Sequence, residues 1–206
     1  MPRNLIRVFA LLVLMSQISC VESVNPLADP DKCVIDDRLV GLWKAMDKDR
    51  VDYIFIGRPA NMIHRPKGLM VMHEASFTAG LELNWHENPL YFFPAKIGDD
   101  HYLQWITFEG SSKPIKNWDP TKPSYLFIKY QVTDNYLTLI SLDPKIAKRA
   151  VEDGVVQGIV KEIKGYSGHT ITFTESTEGL RRFFATDRGK ALFPDDKTKM
   201  RLERMK

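Results

Sequence analysis

Cysteine is scarce: two occur in 206 residues, too few for a disulfide-stapled scaffold. Excess charge of one sign is scarce as well. Lys and Arg number 29 against 26 Asp and Glu, a net of +3, far from the basic face that nucleic-acid binding requires. No apolar run approaches the ~20 residues with which a helix spans a bilayer, so a polytopic membrane protein is excluded. Gly and Pro, 12 of each, are too few for a collagen-like or low-complexity chain. Also missing are a Gly-x-Gly-x-x-Gly fingerprint, a Walker loop and a Gly-x-Ser-x-Gly elbow. No set of acid, base and nucleophile can be named, and the chain reads as non-enzymatic.

What is present begins with an address. Arg3 and Arg7 charge the first residues, and no acidic residue precedes Glu22. Val8 to Met15 is an unbroken apolar run of eight, about 12 Å as a helix. Small and polar residues follow, which is the order of a secretory signal. The stretch Gln17-Ile18-Ser19-Cys20 resembles a bacterial lipobox, the motif cut before a cysteine that becomes lipid-modified. Gln17 departs from the Leu usual at that position. Cleavage after Val21-Glu22-Ser23 is the alternative, giving a soluble periplasmic or secreted protein; if instead both cysteines survive, Cys20 could bridge to Cys33 in an oxidising compartment. The lipobox implies lipid attachment at Cys20 and membrane anchoring by acyl chains. Val21 rather than Asp after the cysteine resembles the outer-membrane sorting rule. The expected division is a signal at 1–19, a polar tether at 20–37 and one β-rich domain at 38–206.

Within that domain short β-favouring runs recur between turn residues, at 39–46, 51–57, 69–77, 81–85, 90–97, 101–109, 125–132, 136–142, 155–163 and 170–175. Leu126, Ile128, Tyr130 and Val132 alternate with Lys129 and Gln131, as a half-buried strand must. Two helices interrupt them. Asp143-Pro144 supplies an N-cap with Pro at the first helical position, and Gly154 a stop. Ser176 caps a second helix, in which Leu180, Phe183 and Phe184 share a face. Met200 and Leu202 fall on one side of the basic tail, read as a last edge strand guarded by Lys and Arg. The expected fold is mainly β, an antiparallel barrel or sandwich with two short helices, one near the C-terminus.

Gly41-Leu42-Trp43 resembles the Gly-x-Trp signature of the lipocalins and their calycin relatives. That resemblance implies a barrel closed at one end by Gly41, Trp43 and an arginine packed across the indole, at Arg182 or Arg201. The Thr-Asp-Tyr motif of lipocalins is missing. The layout also resembles a group of uncharacterised bacterial lipoproteins. The shared features are Leu39-Val40-Gly41-Leu42-Trp43, the Tyr-rich pair at 125–142, the short helix at 146–151, Thr170-Ile171-Thr172-Phe173 leading into 176–183, and Leu192-Phe193. This likeness implies a cell-envelope location, on the outer membrane facing the periplasm, and carries no activity.

Candidate sites are few. His64, His73, His86 and His101 could meet at a metal only through the fold, and their scatter reads as strand and surface positions. Asp47, Asp49 and Asp52 lack the Gly and terminal Glu of a calcium loop and read as a polar turn. No cofactor and no metal is expected. Trp85, Tyr91, Phe92, Phe93, Trp105 and Trp118 could line a cavity or pack the core; residues 113–122 read as a long loop. The expected function is a non-enzymatic envelope protein binding an apolar or amphipathic small molecule. The alternative is an envelope protein–protein adaptor or inhibitor using aromatic loops or the basic C-terminus, where residues 180–206 hold nine basic against four acidic side chains.

Overall fold

The computed structural model describes residues 19–47, 50–60, 65–78, 83–85, 89–108, 123–163, 168–194 and 199–206. Its strands in chain order are β1 Ser19–Ser23, β2 Gly41–Asp47, β3 Arg50–Gly57, β4 Met70–Thr78, β5 Leu83–Trp85, β6 Leu90–Ile97, β7 Asp100–Phe108, β8 Pro123–Val132, β9 Tyr136–Ser141, β10 Gly158–Glu162, β11 His169–Phe173 and β12 Lys199–Arg204. The helices are α1 Pro144–Glu152, α2 Thr177–Ala185 and α3 Asp187–Lys190.

Eight strands, in the order β8-β7-β6-β4-β3-β2-β12-β9, close on themselves through a β8–β9 pairing. Every pairing round this barrel is antiparallel. Closure removes the sheet edges that invite aggregation. The tail strand β12 was expected at an edge; instead it sits between β9 and β2 and completes the ring. The upper part of β8 also pairs with β1 at Ser23 and Tyr125, and β1 runs parallel to β11, which pairs with β10. This three-stranded wing is a side sheet hung on the barrel wall.

Alternation along each strand sorts two cores. Trp43, Ile54, Ile56, Met70, Met72, Phe92, Leu103, Trp105, Ile128, Leu137, Leu139 and Leu202 face into the barrel. Tyr91, Phe93, Tyr102, Ile106, Tyr125 and Phe127 face outward from β6–β8, yet are buried beneath Leu180, Phe183, Phe184 and Phe193. That second core is aromatic, with Tyr102, Phe127 and Phe193 each 5.4–5.8 Å from the Phe184 ring. It explains why Tyr91 and Phe93 on one side and Phe92 on the other are all buried. Tyr91 to Ala95 of β6 are buried on both faces.

The helix signals hold locally. The Asp143 carboxylate accepts from Lys145 N at 2.8 Å, and Ser176 Oγ from Gly179 N at 3.1 Å. A third, single-turn helix, α3, is capped by Thr186, whose Oγ1 accepts from Gly189 N at 3.1 Å. The stretch 20–37 corrects the expectation of a free tether. After β1, Leu27 is fully buried and Cys33 nearly so; Ala28 N donates to Gln104 Oε1 at 2.9 Å. A side chain at Gly68 would collide with Cys33. The segment is a strap across the outer wall, short in apolar residues but placing Leu27 and Leu39 in the cores. Its polar composition hid that.

Candidate functional site

One end of the barrel is sealed. Trp43 is 0% exposed, and its indole Nε1 donates to Leu39 O at 2.8 Å. Arg204 lies over the Trp43 ring, its Cζ 4.1 Å from the centroid. The Arg204 guanidinium also donates to Val40 O at 2.9 Å and to Arg38 O. Gly41 makes room for it: its φ is +145°, and a Cβ there would stand 2.8 Å from Arg204 Nη1.

The arginine is therefore neither of the two expected. Arg182 sits on the exposed side of α2, outside the barrel, and donates to Glu178 at 2.8 Å. Arg201 points outward from β12, over the Tyr136 ring at 3.7 Å. On β12 the inward residues are Met200, Leu202 and Arg204, and the third of these reaches Trp43. The signal was present in the tail: the side shared by Met200 and Leu202 continues to Arg204.

Asp36 braces the same end. Arg38 forks onto its two oxygens at 2.9 and 2.7 Å, and Tyr130 OH donates to it at 2.8 Å. Burial pushes the Asp36 carboxyl up, but the bonds from Arg38 and Tyr130 outweigh it and hold it below its usual range. The Tyr130 phenol is raised, by burial first and then by Asp36. Beside them a cleft of about 420 Å³ is lined by Cys33, Asp36, Arg38, Lys96, His101 and Arg181. Arg38 Nη2 is 3.3 Å from His101 Nε2. Arg is a donor only, so the imidazole nitrogen accepts there and holds its proton on Nδ1. Burial, then the Arg38 charge, lowers the His101 pKa. Burial lifts the Cys33 thiol to about 11, which leaves it protonated and a poor nucleophile.

The opposite end differs. Of the residues that face inward there, Ala45, Arg50, Glu74, Leu90, Thr107, Ser124, Leu126, Ser141 and Met200 are partly accessible, whereas Asp52, Ser76 and the inward residues at mid-height are buried. The barrel is thus a shallow cup. Its floor is Ile54, Met72, Phe92 and Trp105, and the space below is filled by the protein's own side chains. On one wall Arg50 donates to Glu74 at 3.0 Å and to Asp52, which is 4% exposed. Trp105 is 7% exposed, and its indole N–H has no hydrogen-bond partner among the described residues. The cup thus offers an accessible apolar rim at Leu90, Leu126 and Met200, over a buried aromatic layer and beside an ionic wall, the kind of mixed lining that small-molecule sites use. Aromatic density suggested the lining, but only the register assigns Phe92 and Trp105 to the cup and Tyr91 and Phe93 to the second core.

The other sequence candidates do not converge. His73 faces outward on β4, His101 lies at the sealed end, and His64 and His86 fall outside the described residues. Among the described residues no group of three or more His, Cys, Asp or Glu could hold a metal. Asp52 is inside the barrel with Arg50; Asp49, Trp118 and the 113–122 loop lie outside the described residues, as do the side chains of Asp47 and Trp85. Cys20 is the second residue of β1, and both it and Cys33 are free thiols. No helix among the described residues is long and apolar enough to cross a membrane. Neither known families nor curated proteins nor solved structures gave a match to this chain.

Proposed function

We propose that this is a non-enzymatic binding protein of the bacterial cell envelope, held to the outer membrane through Cys20, whose barrel cup takes an apolar or amphipathic small molecule. The gradient of accessibility along the barrel interior carries the reading: sealed at Trp43, packed at mid-height, accessible around Leu90, Leu126 and Met200. The signal-like N-terminus and the lipobox-like Gln17-Ile18-Ser19-Cys20 support the location. A ligand would lay its apolar part on Leu90, Leu126 and Met200, which lie above the buried Phe92 and Trp105.

Native mass spectrometry of the delipidated protein, with uptake of a fluorescent naphthylamine probe, tests this. Uptake is expected in the wild type and should fall sharply in Leu126→Arg and Met200→Arg, which place a charge in the cup. Equal uptake by all three would sink the reading.

A second reading, a protein–protein module, is favoured by one observation. Met46, Val51, Phe77 and Leu83 are register neighbours across β2–β5 on the outer wall, and Met46 and Leu83 are 70% and 55% exposed. Crosslinking in cells that recovers a partner from wild type but not from Met46→Asp/Leu83→Asp would favour it; recovery of the same proteins with both would not.

A further inference from the structure

Cys20 pairs with Thr170 on β11, which pairs with Lys161 on β10. Val21 and Ser23 turn toward the second core, where Val21 packs and Ser23 is 0% exposed. Cys20 and Glu22 therefore face the other way, and Thr172 Oγ1 donates to Glu22 at 3.2 Å on that side. The outer face of the wing thus holds two rows across the strands, Cys20–Thr170–Lys161 and Glu22–Thr172–Ile159. Lys161 is exposed, and Ile159 is 46% exposed.

We propose that the acylated protein has no free tether, and that this outer face of the wing, centred on Cys20, Thr170 and Lys161, rests on the lipid headgroups. The inference relies on the reading of Cys20 as the anchor. Cleavage before Cys20 makes the acylated residue the first of the mature chain, and that residue is already held in a sheet. Neighbouring strands are about 4.8 Å apart, so Lys161 lies roughly 10 Å from Cys20, two strands away. The polar headgroup layer is itself about 5–7 Å thick on each side of a bilayer. A point anchor at Cys20, whose side chain leaves the wing on its outer face, therefore brings Thr170 and Lys161 into or beside that layer when this face turns to the bilayer. Lys161 can then extend its ammonium to anionic headgroups while its stem lies along the wing, as long cationic side chains do at interfaces. A polar linker of the length expected from the sequence would have left the domain free to move away from the surface. The strap forbids this, because residues 24–39 are committed to the barrel wall.

Site-directed fluorescence on the full, membrane-extracted protein tests the proposal. Lys161→Cys carries a bimane label, with Phe55→Cys on β3, across the barrel from the wing, as the control; Cys33 is buried and Cys20 is capped by lipid. Each is reconstituted in phosphatidylethanolamine–phosphatidylglycerol vesicles containing a headgroup-nitroxide lipid. Quenching at Lys161→Cys should exceed that at Phe55→Cys several-fold. It should fall to the control level when a Gly/Ser linker of about ten residues is inserted between Cys20 and Val21. A palmitate-labelled protein with no excess quenching at Lys161→Cys overturns the proposal, and so does quenching that persists with the linker. Failure of the wild type to take up palmitate, with label also absent from Cys20→Ala, instead removes the anchor reading on which it rests.

Discussion

Arg204, third residue from the end of the chain, stacks 4.1 Å above the indole of Trp43, the third residue of β2. The contact joins the last strand of the barrel to the first, and it also ties down the strap, because the same guanidinium takes the carbonyls of Val40 and Arg38. One side chain thus ties the last strand to the end of the strap and to the strand β2 that follows it directly.

Substituting Arg204 by Ala removes a cation–π contact worth about 0.5–2 kcal/mol and charge-assisted bonds to two carbonyls, offset in part by solvent access. A net loss of about 2 kcal/mol is expected, or roughly 4–8 °C in Tm for a domain of this size. Arg182→Ala should change stability by no more than about 0.5 kcal/mol, because its Glu178 pair is solvent-exposed. Thermal unfolding of the two variants side by side separates them; equal losses would contradict the assignment of Arg204.

The strands and the capped helices were readable because their causes are local. Alternation around Tyr130, the Asp143-Pro144 cap and the Ser176 cap each act within a few residues. The partner of Trp43 was not readable from spacing, since it depends on which face of β12 turns inward once β9 and β2 flank it. The strap was missed for a related reason. Leu27, Cys33 and Leu39 are isolated apolar residues in a polar stretch, and an irregular segment shows no period even where single residues are fully buried. Nor could composition divide the aromatic run at Tyr91, Phe92 and Phe93 between two cores; that needs a second layer, formed by α2 and Phe193, from elsewhere in the chain.

Gly41→Ala tests the geometry of the sealed end from the other side. At φ +145° a Cβ is strained whatever the space, and here it would also meet Arg204 Nη1 at 2.8 Å. Strain of this kind costs about 1–3 kcal/mol. The penalty should shrink in an Arg204→Ala background, where the steric part vanishes and only the backbone part remains. A double-mutant cycle gives the coupling directly. Strict additivity would mean that Arg204 does not approach Gly41 in solution.

Arg50 holds two carboxylates on the cup wall, and Asp52 is nearly inaccessible. Arg50→Met takes away the cation they share, and a loss of about 3 kcal/mol at neutral pH is expected, by analogy with other broken buried pairs. Replacing all three together, as Arg50→Met/Asp52→Leu/Glu74→Met, should recover most of that loss, because the members of the ionic cluster are then removed together. Urea denaturation of both variants decides it. A triple variant no more stable than the single one would show that the ionic wall is needed for packing.

The pH dependence has a definite sign. The folded Asp36 carboxyl titrates below its unfolded value of about 3.9. Above that value both states are ionised, and the bonds from Arg38 and Tyr130 contribute their full stabilisation. As pH falls through the unfolded and then the folded pKa, the unfolded chain binds its proton first and the contribution is lost. His101 acts in the same direction at higher pH. Its folded pKa is depressed, so protonation of the unfolded imidazole, near pH 6.5, already begins to favour unfolding. Stability should therefore fall in two steps on acidification, the first starting near pH 6.5 and the second below about pH 4. His101→Gln should remove the first step and Asp36→Asn the second, at the cost of lower stability at neutral pH for Asp36→Asn, which loses the charged acceptor. Chemical denaturation at intervals from pH 7.5 to 3.5 for the three proteins reads this out. A His101→Gln curve that keeps the upper step would mean that the histidine is solvated rather than held against Arg38.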